Sequence, residues 1–354
     1  SNDMKRLLLF IVLGVAIACT PQPEMQRLLI GTYTDAASQG IYRAEFNPQT
    51  GKLSEAELII EVDNPSYLAL DKPKALLYAV SEGCDDESSA LNAYRYDATT
   101  DNYTLLSRQA TMGASPCYVA LHDGYAYTAN YTGGSLSRFK IASDGSLGDA
   151  EEIEYEPRQG SASHIHGIFT APDLSSIYVT DLGRSEIFQM ADGRELSRTS
   201  LPLGTGPRHM AFAQDGKVAY ALNELSGTVA VFDIGEQGLL LKQTIASDSV
   251  GGGGCADIHL SEDGRYLYTS NRLKEDGIST FRVGEDGTLC KVGYTLTGVH
   301  PRNFILTPEG DYLLVAARDS NSVEVYARDS KTGELRFTGE RLELSRPVCL
   351  KWMK

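Results

Sequence analysis

The sequence is short of the residues that staple or metallate a fold. Its 354 residues contain six cysteines. Apart from Cys19 they are Cys84, Cys117, Cys255, Cys290 and Cys349, an odd number at wide spacings with no CxxC pair. A disulfide framework or a zinc site is not expected from that pattern, and the five read as small buried hydrophobes. Positive charge is also scarce: 32 Lys+Arg stand against 47 Asp+Glu, a net −15. That balance argues against a general nucleic-acid binder and against a polybasic lipid-docking surface. It leaves an anionic small substrate open, because a local cluster can oppose the global sign. No helical pattern follows Gly251–Gly254, so these glycines are a loop and not a phosphate-binding P-loop. Asp85-Asp86-Glu87 lacks the alternating ligand spacing of a calcium loop. A chain that is 42% hydrophobic can bury a core, which excludes wholesale disorder. Length alone suggests about two domains.

The N-terminus reads as a targeting segment. Ser1-Asn2-Asp3 (residues 1–3) precede Met4 and read as an expression scar. Lys5-Arg6 are followed by an apolar run, Leu7 to Ala18, of 12 residues, too short to cross a bilayer as a helix. It ends in Ala16-Ile17-Ala18-Cys19. Residues 4–19 therefore resemble a bacterial lipoprotein signal with Cys19 as the lipidated residue. Residues 20–26 read as a tether. The expected protein is exported, held to the cell envelope only through a lipid anchor, and monomeric.

From residue 27 onward the sequence repeats. The phrase Pro207-Arg208-His209-Met210-Ala211-Phe212, Asp215-Gly216, Tyr220-Ala221-Leu222-Asn223-Glu224 and Thr228 to Phe232 is its clearest form. Copies start at 65, 116, 164, 207, 255, 301 and 347, spaced 43 to 51 residues apart. Each holds about four short alternating strands, the length and content of a propeller blade. The last copy has one strand, Pro347 to Met353. Residues 27–33, 40–46 and 53–59 can supply the missing three. The expectation is an all-β, seven-bladed β-propeller over residues 27–354, closed by N-terminal strands pairing with the C-terminal strand. The Asp215-Gly216, Asp263-Gly264 and Glu309-Gly310 pairs are expected in the hairpins between the first two strands of a blade.

If each blade's strands run A to D from the axis outward, residues starting strand A and ending strand B meet at one channel mouth. Strand-A starts supply His164, His166, Arg208 and Arg302; strand-B ends supply Glu82, Asn130, Asp181, Glu224 and Arg272. Packing alone has no need of arginines there. Guanidinium groups hold carboxylate or phosphate through paired bonds, and a glutamate beside them can move a proton. Bland readings compete with this one. Arg208 and Glu224 could be an ion pair within one blade, Arg272 and Arg302 solvated rim charges, and His166 a structural hydrogen-bonder. His209 alternates with Arg208, points away from it, and reads as structural. His122, His259 and His300 are not expected to be catalytic.

The segments Gly206-Pro207-Arg208-His209-Met210, Asn223-Glu224-Leu225-Ser226, Ala256-Asp257-Ile258-His259, Ser270-Asn271-Arg272, Pro301-Arg302-Asn303-Phe304 and Gly31-Thr32-Tyr33-Thr34 resemble the seven-bladed lactonase family. That family includes the propeller-type 6-phosphogluconolactonases and the fungal carboxy-muconate cyclase. The resemblance implies a catalytic set of His166, Arg208, Glu224 and Arg272, with no metal and no cofactor. Arg302, His164, Asn130 and Asn223 are expected to bind substrate. The expected reaction is metal-independent hydrolysis of a sugar lactone or another cyclic ester, anionic or neutral. The alternatives are a non-enzymatic surface propeller that binds a glycan or protein, and a muconate-type cycloisomerase.

Overall fold

A computed structural model describes residues 24–153, 160–248 and 250–353. The signal reading of residues 4–19, with Cys19, lies outside the described residues. Seven antiparallel sheets are present, six of four strands and one of five. Blades 1 to 6 follow one another along residues 68–343. In the seventh, Pro347–Trp352 is innermost and Gln26–Thr32 and Gly40–Asn47 lie outside it. Ile30 pairs with Leu350 and Leu28 with Trp352, so the two ends of the chain close the ring in one sheet. The outermost strand, expected as one piece over residues 53–59, is two short ones, Lys52–Leu53 and Glu57–Glu61.

The recurring phrase has a physical cause at each position. In blade 4 the strands are Pro207–Phe212, Val218–Asn223, Thr228–Gly235 and Gly238–Ala246. All six residues of the second strand are buried, because blades pack on both of its faces. Tyr220, Val231 and Leu222 of blade 4 pack against Ile258, Leu267 and Phe281 of blade 5. The fourth strand forms the rim: only Gly238 and Leu239 are buried, and the residues after them are exposed or half-buried. The A-to-B hairpins turn at Gly216, Gly264 and Gly310, each with positive φ, as expected for the Asp-Gly and Glu-Gly pairs. The tyrosine of the phrase reaches across to the next blade. Tyr78, Tyr220 and Tyr268 each donate a hydrogen bond of 2.8 Å to the carbonyl of Gly145, Gly287 and Gly333. Gly287 has φ +81°, and a Cβ there would stand 2.7 Å from Val218 of the preceding blade. Tyrosine and glycine are thus the two halves of one blade-to-blade contact.

Cys117, Cys255 and Cys349 are buried, as expected. Cys84 and Cys290 are exposed, on a loop and on an outer strand, against the expectation that all five lie in the core.

Candidate active site

Strand A of several blades begins with a β-bulge. In blade 4 Pro207 pairs with Asn223 and His209 with Leu222, which leaves Arg208 unpaired between them. Arg302 is skipped in the same way between Pro301 and Asn303, and His166 between Ile165 and Gly167. A bulge re-aims the side chain it carries. This is why three residues, each the second of its strand, leave the regular alternation and come within electrostatic reach of one another.

Arg208 is 1% exposed. Its Nε lies 3.0 Å from Glu224 Oε2, and its Nη1 donates to the Ala256 carbonyl at 2.5 Å. Arg272, 6% exposed, places Nη2 3.2 Å from Glu224 Oε1 and donates from Nε to the Gly254 carbonyl at 2.7 Å. Glu224 therefore bridges two buried guanidiniums from adjacent blades. The contact with Arg208 is an ion pair without a directed hydrogen bond at Nε. Burial, then the repulsion between the arginines, pushes Arg208 and Arg272 down from the usual guanidinium range, and Glu224 opposes this. Arg302 is half-buried, its guanidinium over the Tyr33 ring at 5.4 Å. Burial alone would lower its pKa, but Tyr33, Glu82 and Glu224 raise it on balance. Among the described residues Arg302 has no carboxylate within ion-pair distance.

His166 is 5% exposed, and its Nδ1 has no hydrogen-bond partner among the described residues. Burial, followed by the charge of Arg208, drives its pKa well below the usual imidazole range, so the ring is neutral. His164 stacks on Tyr131 at 4.6 Å with Nδ1 2.9 Å from the Tyr131 carbonyl. It sits at the edge of the cluster. Asn130 and Asn223 lie elsewhere: both are fully buried and are engaged inside their own blades. Asn130 donates to Ser135 and Ser137 and accepts from Thr128; Asn223 donates to Thr228. They fasten the B-to-C turn. Asp181 acts similarly, accepting from Ser163, the His164 amide and the Arg184 amide.

The alternation argument about His209 is overturned by the bulge. With Arg208 displaced from the ladder, the two side chains meet, His209 Nε2 lying 3.4 Å from Arg208 Nη1. Four further residues, His300, Tyr33, Ser66 and Tyr131, were not among the expected site residues. His300 places Nε2 3.2 Å from Arg272 Nη1. Tyr33 donates to Glu82 Oε2 at 3.1 Å, and Ser66 bonds the same oxygen. Tyr131 occupies in blade 2 the position that Glu224 has in blade 4.

Beneath the cluster the channel is plugged. Tyr67 and Tyr118 stack at 3.9 Å, with Phe169 5.2 Å from Tyr118 and His209 edge-on at 5.3 Å. A cavity of about 520 Å³ opens on the opposite face, lined by Tyr67, Phe212, Trp352 and Lys351 among others. Its lining includes no carboxylate; a second cavity of about 960 Å³, which shares Leu70, Lys72 and Trp352 with it, is lined also by Glu45, Asp101 and Glu309. Among the described residues no three His, Cys, Asp or Glu side chains converge as a metal-ligand set.

Comparison with known proteins agrees with this architecture. A 6-phosphogluconolactonase of Bacillus subtilis is 30% identical over 92% of this chain and 97% of its own. A structure from Bacteroides uniformis, of a candidate 6-phosphogluconolactonase, is 42% identical with TM-score 0.88, covering 93% of this chain and 99% of its own. The periplasmic gluconolactonase of Pseudomonas aeruginosa is 29% identical with TM-score 0.86, covering 93% and 99%. Residues 27–352 match the family described as lactonase, 7-bladed beta-propeller. The chain therefore belongs to the seven-bladed β-propeller lactonases.

Proposed function

We propose that this protein hydrolyses a sugar lactone at the Arg208–Glu224–Arg272 cluster. The observation that carries the reading is the state of Glu224. Both of its oxygens lie within 3.2 Å of guanidinium nitrogens, one from Arg208 and one from Arg272, and 23% of its side chain stays open to solvent. Such a carboxylate is held in place electrostatically and keeps lone pairs for a water molecule. Glu224 takes a proton from water as the oxygen attacks the lactone carbonyl. The tetrahedral oxyanion is stabilised by Arg208 and Arg302. The ring C–O bond then breaks, the ring oxygen leaves as a hydroxyl with the proton that Glu224 returns, and the product is a hydroxy acid. His166, neutral and with a free Nδ1, orients the substrate.

Charge favours a particular substrate. Three guanidiniums (Arg208, Arg272, Arg302) face two carboxylates (Glu224, Glu82), leaving one positive charge at the mouth. One charge matches the single negative charge that a neutral lactone develops in the transition state. The similarity to a periplasmic gluconolactonase and the lipoprotein-type reading of residues 4–19 support an exported enzyme, where sugar phosphates are scarce. Unphosphorylated gluconolactone is thus the first substrate to test. In a pH-stat assay of acid release from gluconolactone with and without a 6-phosphate, the unphosphorylated lactone is expected to give the higher kcat/KM. No release above the uncatalysed rate from any lactone would refute the reading.

A further inference from the structure

The two arginines that grip Glu224 are held in the same way. Arg208 is fixed by a backbone carbonyl (Ala256, 2.5 Å), a histidine Nε2 (His209, 3.4 Å) and one Glu224 oxygen. Arg272 is fixed by a backbone carbonyl (Gly254, 2.7 Å), a histidine Nε2 (His300, 3.2 Å) and the other Glu224 oxygen. A guanidinium has only N–H donors, so each Nε2 must present a lone pair. The ring proton is then on Nδ1. At His209 it meets Asp257 Oδ1 at 2.9 Å; at His300 the Asp319 carboxylate, which accepts from Arg318 through both oxygens, stands 3.6 Å away, beyond hydrogen-bond reach. His209 thus has an acceptor on one side and a donor on the other, and one neutral tautomer satisfies both; at His300 the Arg272 contact alone selects that tautomer.

Asp257 is itself built to stay an acceptor. It is 2% exposed and receives N–H groups from His209, His259, Asn303, Ile258 and Phe304. The other groups around His209 are the rings of Tyr67, Tyr118, Phe169 and His166. Burial, followed by Arg208, lowers the His209 pKa to about 4, and burial followed by Arg272 lowers that of His300 to about 2. Both rings are neutral near pH 7.

A carboxylate in place of either histidine would hold its arginine more strongly, but it would also cancel the charge. A neutral nitrogen fixes the fork and leaves the charge to act on a ligand. We propose that His209, backed by Asp257, and His300 are positioning residues that hold Arg208 and Arg272 in place without neutralising them. The consequence for turnover rests on the lactonase reading above; the consequence for tautomers and anion binding does not.

The test uses the full protein and three readouts. Nitrogen-15 NMR of the histidine rings at pH 7 is expected to show Nδ1–H and bare Nε2 for both residues. His209→Asn keeps an N–H near Asp257 but has nothing at the Nε2 position. His209→Gln places an amide oxygen near that position, and His300→Asn and His300→Gln divide in the same way. We expect the Asn variants to unfold at nearly the wild-type temperature. They should lose about 10–100-fold in kcat/KM and bind gluconate, the product anion, correspondingly more weakly. The Gln variants should recover part of both. Nε2–H rings in the wild type, or Asn variants that bind gluconate as tightly as wild type, would overturn the proposal. If the wild type hydrolyses no lactone, the NMR and gluconate titrations still decide it.

Discussion

Blades 2 and 4 share a register and differ in chemistry. Pro116 pairs with Asn130 and Pro207 with Asn223, and each strand then bulges. The bulge residue is Cys117 in one and Arg208 in the other. Tyr118 corresponds to His209, and Tyr131 to Glu224. Blade 2 turns those positions into an aromatic wall, with Tyr118 stacked on Tyr67 and Tyr131 on His164. Blade 4 turns them into an ion cluster. The backbone of a blade therefore aims a few side chains at the mouth and does not dictate what they are. A lactonase site needs only some of the seven blades to carry charge.

The largest break in this comparison comes at Glu224. Glu224→Gln removes the proposed base and both ion pairs and is expected to lower kcat by about 10²–10⁴-fold, read by pH-stat with circular dichroism as the folding control. Arg208→Met should cost about 10²–10³-fold, the scale of losing one oxyanion donor, and should weaken gluconate binding in a titration. In blade 2 the loss should be of stability. Asn130→Ala strips partners from Ser135, Ser137 and Thr128. It should lower unfolding free energy by about 1–3 kcal/mol in urea. The smallest effect is on pH dependence. His166 and His209 have folded-state pKa values below the unfolded one, His209 at about 4. Below about pH 6.5 the unfolded chain binds more protons than the folded one. Stability is therefore full above that pH and falls as pH drops toward 4. A melting temperature unchanged from pH 7 to 4.5 would contradict this.

The fold was legible because its repeating phrase has local causes. Asp-Gly pairs make hairpins, and in blades 1, 4 and 5 the tyrosine of the B strand bonds a glycine carbonyl in the next blade. The positions of Arg208, Arg302 and His166 were legible as strand starts. What escaped was set by the bulge or by distance along the chain. Strict alternation put His209 on the wrong side of Arg208, because it assumes an unbroken ladder. Tyr33, Glu82 and Arg302 lie in three different blades, and nothing local links them. Asn130 and Asn223 read as functional because they are polar residues ending buried strands, but neighbouring hydroxyls engage both side-chain atoms of Asn130 and the amide nitrogen of Asn223, whose Oδ1 has no partner among the described residues. His300 escaped because its partner, Arg272, belongs to the preceding blade.

The central claim is that Glu224, held between Arg208 and Arg272, is the base of a lactone hydrolysis. Its most direct test is the pH-stat rate of acid release from gluconolactone by the wild type beside Glu224→Gln, at equal concentrations of folded protein. We predict release well above the uncatalysed rate for the wild type and its near disappearance in the variant. Equal rates for the two proteins would contradict the account.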